Sequence, residues 1–228
     1  MSRRPTQLRT TTASGSVKLT AEDRTDVLVE KGGYAVLLDD GTVEVRTTKR
    51  SSSLEVRCPS GTDVVIGTAS GGVELVGDFG TVSVSSASGS IRTGRVDVAD
   101  LRTVSGKVGV EECRGRCRVS TKSGTITVTG AGEADLSSVS GRVQIERVDG
   151  AVVVRTVSGS TTIGAAGAGP VGVQSISGSI VVRLPPGVRP SIRSSGRRRV
   201  TSTCEPGDDV VVDVATVSGS VDIGPGSG

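Results

Sequence analysis

The dipeptide Ser-Gly recurs along this chain at a nearly constant interval, and that interval limits the fold more than any other feature. The glycines that carry the pattern stand at 15, 71, 89, 106, 124, 141, 159, 178, 196 and 219. From 71 to 196 the steps are 18, 17, 18, 17, 18, 19 and 18 residues, whereas 15 to 71 is 56, about three periods, and 196 to 219 is 23. A fixed period of this length marks stacked repeats, each contacting its own equivalents.

The columns around the glycine are as regular as the spacing. Five residues before it stand Ile66, Val84, Leu101, Val119, Leu136, Val154, Val173 and Val214; seven before it stand Val64, Val82, Ala99, Cys117, Ala134, Val152, Val171 and Val212. Two after it come Val73, Ile91, Val108, Ile126, Val143, Thr161, Ile180 and Val221, and four after it Leu75, Thr93, Val110, Val128, Ile145, Ile163, Val182 and Ile223. Alternation at period two with β-branched residues identifies two short strands per repeat, each with one buried face.

The column two before the glycine is Ala69, Ala87, Val104, Lys122, Val139, Val157, Ile176 and Val217, apolar except for Lys122. Counting it inward requires the parity to slip by one at the Ser or Thr just before it (Thr68 to Thr216), so a bend or bulge is expected there. The constant glycine fits a backbone with positive φ or a close approach that excludes a Cβ.

Composition agrees. One Phe, one Tyr, one Met, no Trp and no His leave Val, Ile, Leu and Ala to build the core. The expected fold is an all-β, single-domain parallel β-solenoid (β-helix) over 1–228, about 18 residues per turn, right-handed by the crossover preference of parallel strands. Residues 20–60 break the period as an irregular N-terminal region, 61–223 carry the regular repeats, and 224–228 form a flexible tail. An antiparallel sandwich would not need one residue class in one column over eight repeats.

Motifs such as Thr103-Val104-Ser105-Gly106-Lys107-Val108 and Thr216-Val217-Ser218-Gly219-Ser220-Val221-Asp222-Ile223 resemble the T-V-S-G-x-V repeats of the bacterial "putative-adhesin" family, also described as toast-rack domains. Leu184-Pro185-Pro186-Gly187 is similar to that family's L-P-x-G segment. The resemblance implies a stacked β-repeat found in envelope-associated and stand-alone proteins, and it carries over no catalytic residue.

Enzyme chemistry has little to work with. Without His there is no Ser-His or Cys-His pair and no imidazole ligand, so no catalytic, cofactor or metal residue is expected. The acidic pairs Asp39-Asp40, Glu111-Glu112 and Asp208-Asp209 are the candidates for a carbohydrate-active site, a distant third to turn chemistry beside glycine. Cys58, Cys113, Cys117 and Cys204 are too few for a disulfide framework, and Cys117 occupies a buried valine column.

A net charge of +3, from 27 basic and 24 acidic residues, demands no nucleic acid. The one basic concentration, Arg189, Arg193, Arg197, Arg198 and Arg199, is a candidate patch for an acidic protein surface; no aromatics interleave it as a single-strand binder would need. Met1 to Gln7 leads into no signal-like apolar run, and no stretch of about 18 apolar residues occurs, so the expectation is a cytoplasmic chain without membrane insertion. The expected role is a non-enzymatic interaction scaffold; the alternative is a ligand-binding module using the outward Ser ladder or the arginine patch. Its last repeat, with Val217, Val221 and Ile223, is as apolar as the interior ones and bears no cap, which marks it as an end for self-association or a protein partner.

Overall fold

The structure, a computed structural model, describes residues 7–49, 52–167, 169–196 and 200–226. All regular structure among them is β-strand. The chain divides into two compact units, Met1–Cys113 and Arg114–Gly228.

The first unit holds β1 (Gln7–Thr12), β2 (Val17–Glu22), β3 (Leu28–Lys31), β4 (Gly33–Leu37), β5 (Thr42–Thr47), β6 (Leu54–Pro59), β7 (Asp63–Ser70), β8 (Val73–Ser88) and residues 91–113 of β9 (Ile91–Val148). Equivalent residues pair in parallel: Val64 with Val82, Ile66 with Val84, Val73 with Ile91. The stacking order, however, differs from the chain order. β1 pairs in parallel with β7 on one side and β5 on the other, and β2 likewise with β8 and β6. Residues 7–22 therefore lie one layer in from the end. The irregular stretch folds outside them, finished by β4 antiparallel on β5 and β3 antiparallel on β6. Gly15 and Gly71 are thus direct neighbours: a Cβ on Gly71 would run into the Gly15 carbonyl oxygen, so no intervening layers fill the 56-residue gap.

The second unit contains the rest of β9, then β10 (Val152–Ala166), β11 (Val171–Ser177), β12 (Ile180–Leu184), β13 (Pro190–Gly196), β14 (Val200–Ser202), β15 (Val210–Ser218) and β16 (Val221–Pro225). Here too one repeat is displaced. β15 pairs with β11 on one side and β13 on the other, and β16 pairs with β12 and β14. The repeat expected at the open end, with Val217, Val221 and Ile223, is thus covered on both sides, and residues 190–196 and 200–202 take the outer position. β16 also runs on to Pro225, opposite Leu184, into the stretch expected as a tail.

Polarity supplies the reason. The inward places of the 210–225 layer are Val212, Val214, Val221 and Ile223, all buried. Their partners in the outer layer are Ile192, Ser194, Val200 and Ser202, of which both serines are exposed. Burying an aliphatic side chain is worth about 1.5–3 kcal/mol, so the apolar repeat gains most from cover on both faces while the serines lose little next to water. Gly196 stands opposite Thr216, three places short of Gly219, and does not belong to the glycine column.

Two further features depart from the sequence reading. Alternation runs unbroken through Val64, Ile66 and Thr68, so the hydroxyl column faces inward: Thr68, Ser86, Thr103, Thr121, Ser138, Thr156, Ser175 and Thr216 are buried. The parity does not slip at the hydroxyl, and the apolar column after it faces out. The bend comes at the glycine, where φ is +142° at Gly141, +135° at Gly159 and +139° at Gly178, a region L-residues avoid. Six repeats also have a third inward position: Phe79, Val96 and Cys113 in the first unit, Ala131, Val148 and Ala166 in the second, all buried. The strands accordingly continue past the two short segments expected, most extensively in β9.

Candidate interaction surface

The most unusual surface is made by the outward apolar column. In the second unit Val139, Val157, Ile176 and Val217 are 49%, 42%, 53% and 62% exposed. The serine after each is paired in register, Ser140 with Ser158, Ser158 with Ser177 and Ser177 with Ser218, so the four apolar side chains form a ladder at strand spacing of about 4.8 Å. In the first unit Ala69, Ala87 and Val104 hold the same place and are exposed. A solvated strand face would carry polar residues at such positions, and a contiguous exposed apolar row marks an interaction surface more often than isolated residues do.

Beside the ladder runs an open groove of about 460 Å³, lined by Ile176, Val217, Arg155, Gln174, Ala215 and Ser195. Arg155 is tied across the sheet to Asp135 at 3.1 Å, which also takes Arg118 at 3.3 Å. Gln174 projects an exposed amide from β11. The ladder is the apolar column two residues before the glycine, which faces outward because the hydroxyl before it keeps the inward parity.

The outward serines act structurally. Ser158 Oγ donates to the Val139 carbonyl at 3.4 Å and Ser140 Oγ to the Lys122 carbonyl at 3.5 Å, binding each bend to the layer before.

The arginine patch is only partly described. Arg189 pairs with Asp209, whose carboxylate accepts the Arg189 backbone N–H at 2.9 Å and faces its guanidinium at 3.5 Å. Arg193 projects from β13, opposite Asp213. Arg197, Arg198 and Arg199 lie outside the described residues. Val217 is the exposed member of its candidate trio, while Val221 and Ile223 are buried.

Two of the acidic pairs contribute a carboxylate to a local contact. Asp40 Oδ1 accepts the Thr42 backbone N–H at 2.9 Å, which holds that carboxyl below its usual range. Asp209 is occupied by Arg189. Glu111 and Glu112 lie within β9, not in the turn expected.

Cys58, Cys113 and Cys117 are buried thiols; Cys113 Sγ lies 3.8 Å from the Asp97 carbonyl oxygen, and burial pushes the Cys58 thiol up to about 11. Among the described residues no three His, Cys, Asp or Glu side chains converge as metal ligands, and no helix is long and apolar enough to cross a membrane.

No curated protein matches the chain. A crystal structure described as that of a "putative cell adhesion protein" from Clostridium sporogenes ATCC 15579 aligns over 98% of this chain and 94% of that one, with 9% identity and a TM-score of 0.23, too low to carry an argument. The family model described as Toastrack DUF4097 matches residues 2–224, nearly the whole sequence, in agreement with the resemblance of its T-V-S-G-x-V repeats. The chain belongs to the Toastrack DUF4097 family.

Proposed function

We propose that the chain is a non-enzymatic interaction scaffold, a right-handed β-solenoid that offers the Val139, Val157, Ile176 and Val217 ladder to a protein partner. The carrying observation is that four large aliphatic side chains, stacked in register, are each about half exposed in a protein whose other aliphatic columns are buried. The lack of histidine and the engagement of Asp40 and Asp209 in local contacts support a role without catalysis. The arginine patch is the second candidate surface: Arg193 extends from the outermost strand of its unit, where an acidic partner would meet it first.

Cross-linked pull-down from the native cell, comparing the chain with its Val157→Glu/Ile176→Glu variant, tests the ladder. The variant should keep its melting temperature, because both positions face water, and lose the specifically captured protein. An identical captured set from both baits would refute the ladder; loss with Arg193→Glu instead would move the contact to the patch.

A further inference from the structure

The displaced repeat in the second unit has a consequence for assembly. Residues 210–225 occupy a slot walled by β11 and β12 on one side and by β13 and β14 on the other, and they are held by parallel ladders to both walls. Their apolar residues Val212, Val214, Val221 and Ile223 are buried, so the slot cannot stay empty without exposing two apolar surfaces. The segment reaches the slot through residues 203–209, Thr-Cys-Glu-Pro-Gly-Asp-Asp, which are exposed or half-exposed and carry no strand. That connection is fastened by Thr203 N–H to the Ile223 carbonyl, Cys204 N–H to Ser202 Oγ, Gly207 N–H to the Pro190 carbonyl, Asp209 N–H to the Arg189 carbonyl, and the Asp209 carboxylate to Arg189.

We infer that this slot is an acceptor for residues 210–225 of a second copy of this chain, so that two copies associate by exchanging that repeat. The occupant follows from register. The slot already holds this segment residue by residue, Val171 and Ile192 flanking Val212, and Ile180 and Val200 flanking Val221, so the same segment of a second copy fills both walls with the native contacts. Exchange makes no new kind of contact; it repeats the native ones between chains, and the connection alone changes conformation. Seven connecting residues, extended, span at most about 23–25 Å, enough to cross to a neighbouring copy in place of wrapping back. Reciprocal exchange closes as a two-fold dimer, and sequential exchange leaves an open fibre. The inference does not rest on the side ladder, with which the exchanged segment shares Val217.

The test places a reporter pair across the slot and shortens the connection. Thr201 and Asp222 are register partners on β14 and β16, so Thr201→Cys/Asp222→Cys, with Cys204→Ser to remove the nearby thiol, forms a disulfide wherever that pairing exists. In the full chain with its connection intact the disulfide should form mainly within one chain at low concentration, with an interchain fraction growing at high refolding concentration. Deleting residues 205–208 leaves too little chain to wrap back, so most of that material should run as covalent dimers or oligomers on a non-reducing gel; the two single-cysteine parents, shortened in the same way, should cross-link when refolded together, while each alone stays near background. Disulfides that remain within one chain in the shortened variant, or shortened material that assembles without the Thr201→Cys to Asp222→Cys link between chains, would overturn the inference.

Discussion

Gly219 stacks directly against Gly178, although 41 residues separate them in the chain: a Cβ on Gly219 would meet the Gly178 carbonyl oxygen, and the Gly178 N–H donates to the Ser218 carbonyl at 3.1 Å. This contact shows that β13 and β14 have been passed over. Gly15 and Gly71 stand in the same relation in the first unit. In both units the irregular stretch goes outermost and the apolar repeat is enclosed, which is how repeat arrays protect their last apolar face.

The corrected parity can be tested with one residue type. Val143 is fully buried and Val139, four residues earlier on the same strand, is about half exposed. Val143→Asp leaves an unpaired charge in a dry core and should cost roughly 4 kcal/mol or more, enough to prevent folding. Val139→Asp should change stability by less than about 1 kcal/mol. Urea melts of the two variants decide; comparable losses would mean that the Val139 column faces inward after all.

The glycine column predicts a second contrast. Gly178 has φ +139° and its added Cβ would strike the Gly159 carbonyl oxygen, whereas a Cβ on Gly172 would meet nothing nearer than the Val152 carbonyl oxygen at 3.8 Å. Gly178→Ala should therefore destabilise by about 2–4 kcal/mol, combining backbone strain with the clash. Gly172→Ala should be neutral or stabilise by up to about 1 kcal/mol, since it removes unfolded-state freedom from a strand that has room. Thermal melts that rank the two the other way would remove the steric account of the repeat motif.

Stability should fall in mild base because of Cys58. Burial raises its thiol to about 11, from an ordinary value near 9.0, so the folded chain keeps the proton after the unfolded chain has lost it. This contribution is fully present below about pH 9 and is lost as pH rises towards 11. It amounts to roughly 2 kcal/mol at most, because a tenfold difference in proton affinity between the two states is worth about 1.36 kcal/mol and solvent relaxation discounts part of it. Urea unfolding between about pH 8 and pH 10.5 should show a decline for the natural chain that is shallower in Cys58→Val. Parallel curves for the two proteins would show that Cys58 contributes nothing to the slope.

Much of the fold is legible in the linear chain. Val108, Ile126, Val143 and Ile180 are read as buried from their column alone, and all four are. The glycine column is read as sterically required, and it is. The candidate surface was written in the same alignment, yet Val157 and Ile176 could be assigned to the wrong side because the residue before each is a hydroxyl. Thr156 and Ser175 satisfy one another at 3.0 Å in the interior, Ser175 Oγ also reaching the Ser177 carbonyl at 3.3 Å, so a small polar residue can hold an inward place that pattern reasoning reserves for aliphatics.

By itself the sequence determined the repeat, its period, the strand faces at most positions and the need for glycine at the bend, because these depend on a residue and its equivalents in adjacent layers. The order in which layers stack depended on tertiary structure alone. Nothing local to Val212 or Ile192 says which lies outside the other. That choice compares two complete arrangements, and the enclosed one is favoured because it covers Val212, Val214, Val221 and Ile223 on both sides while leaving Ser194 and Ser202 to the solvent.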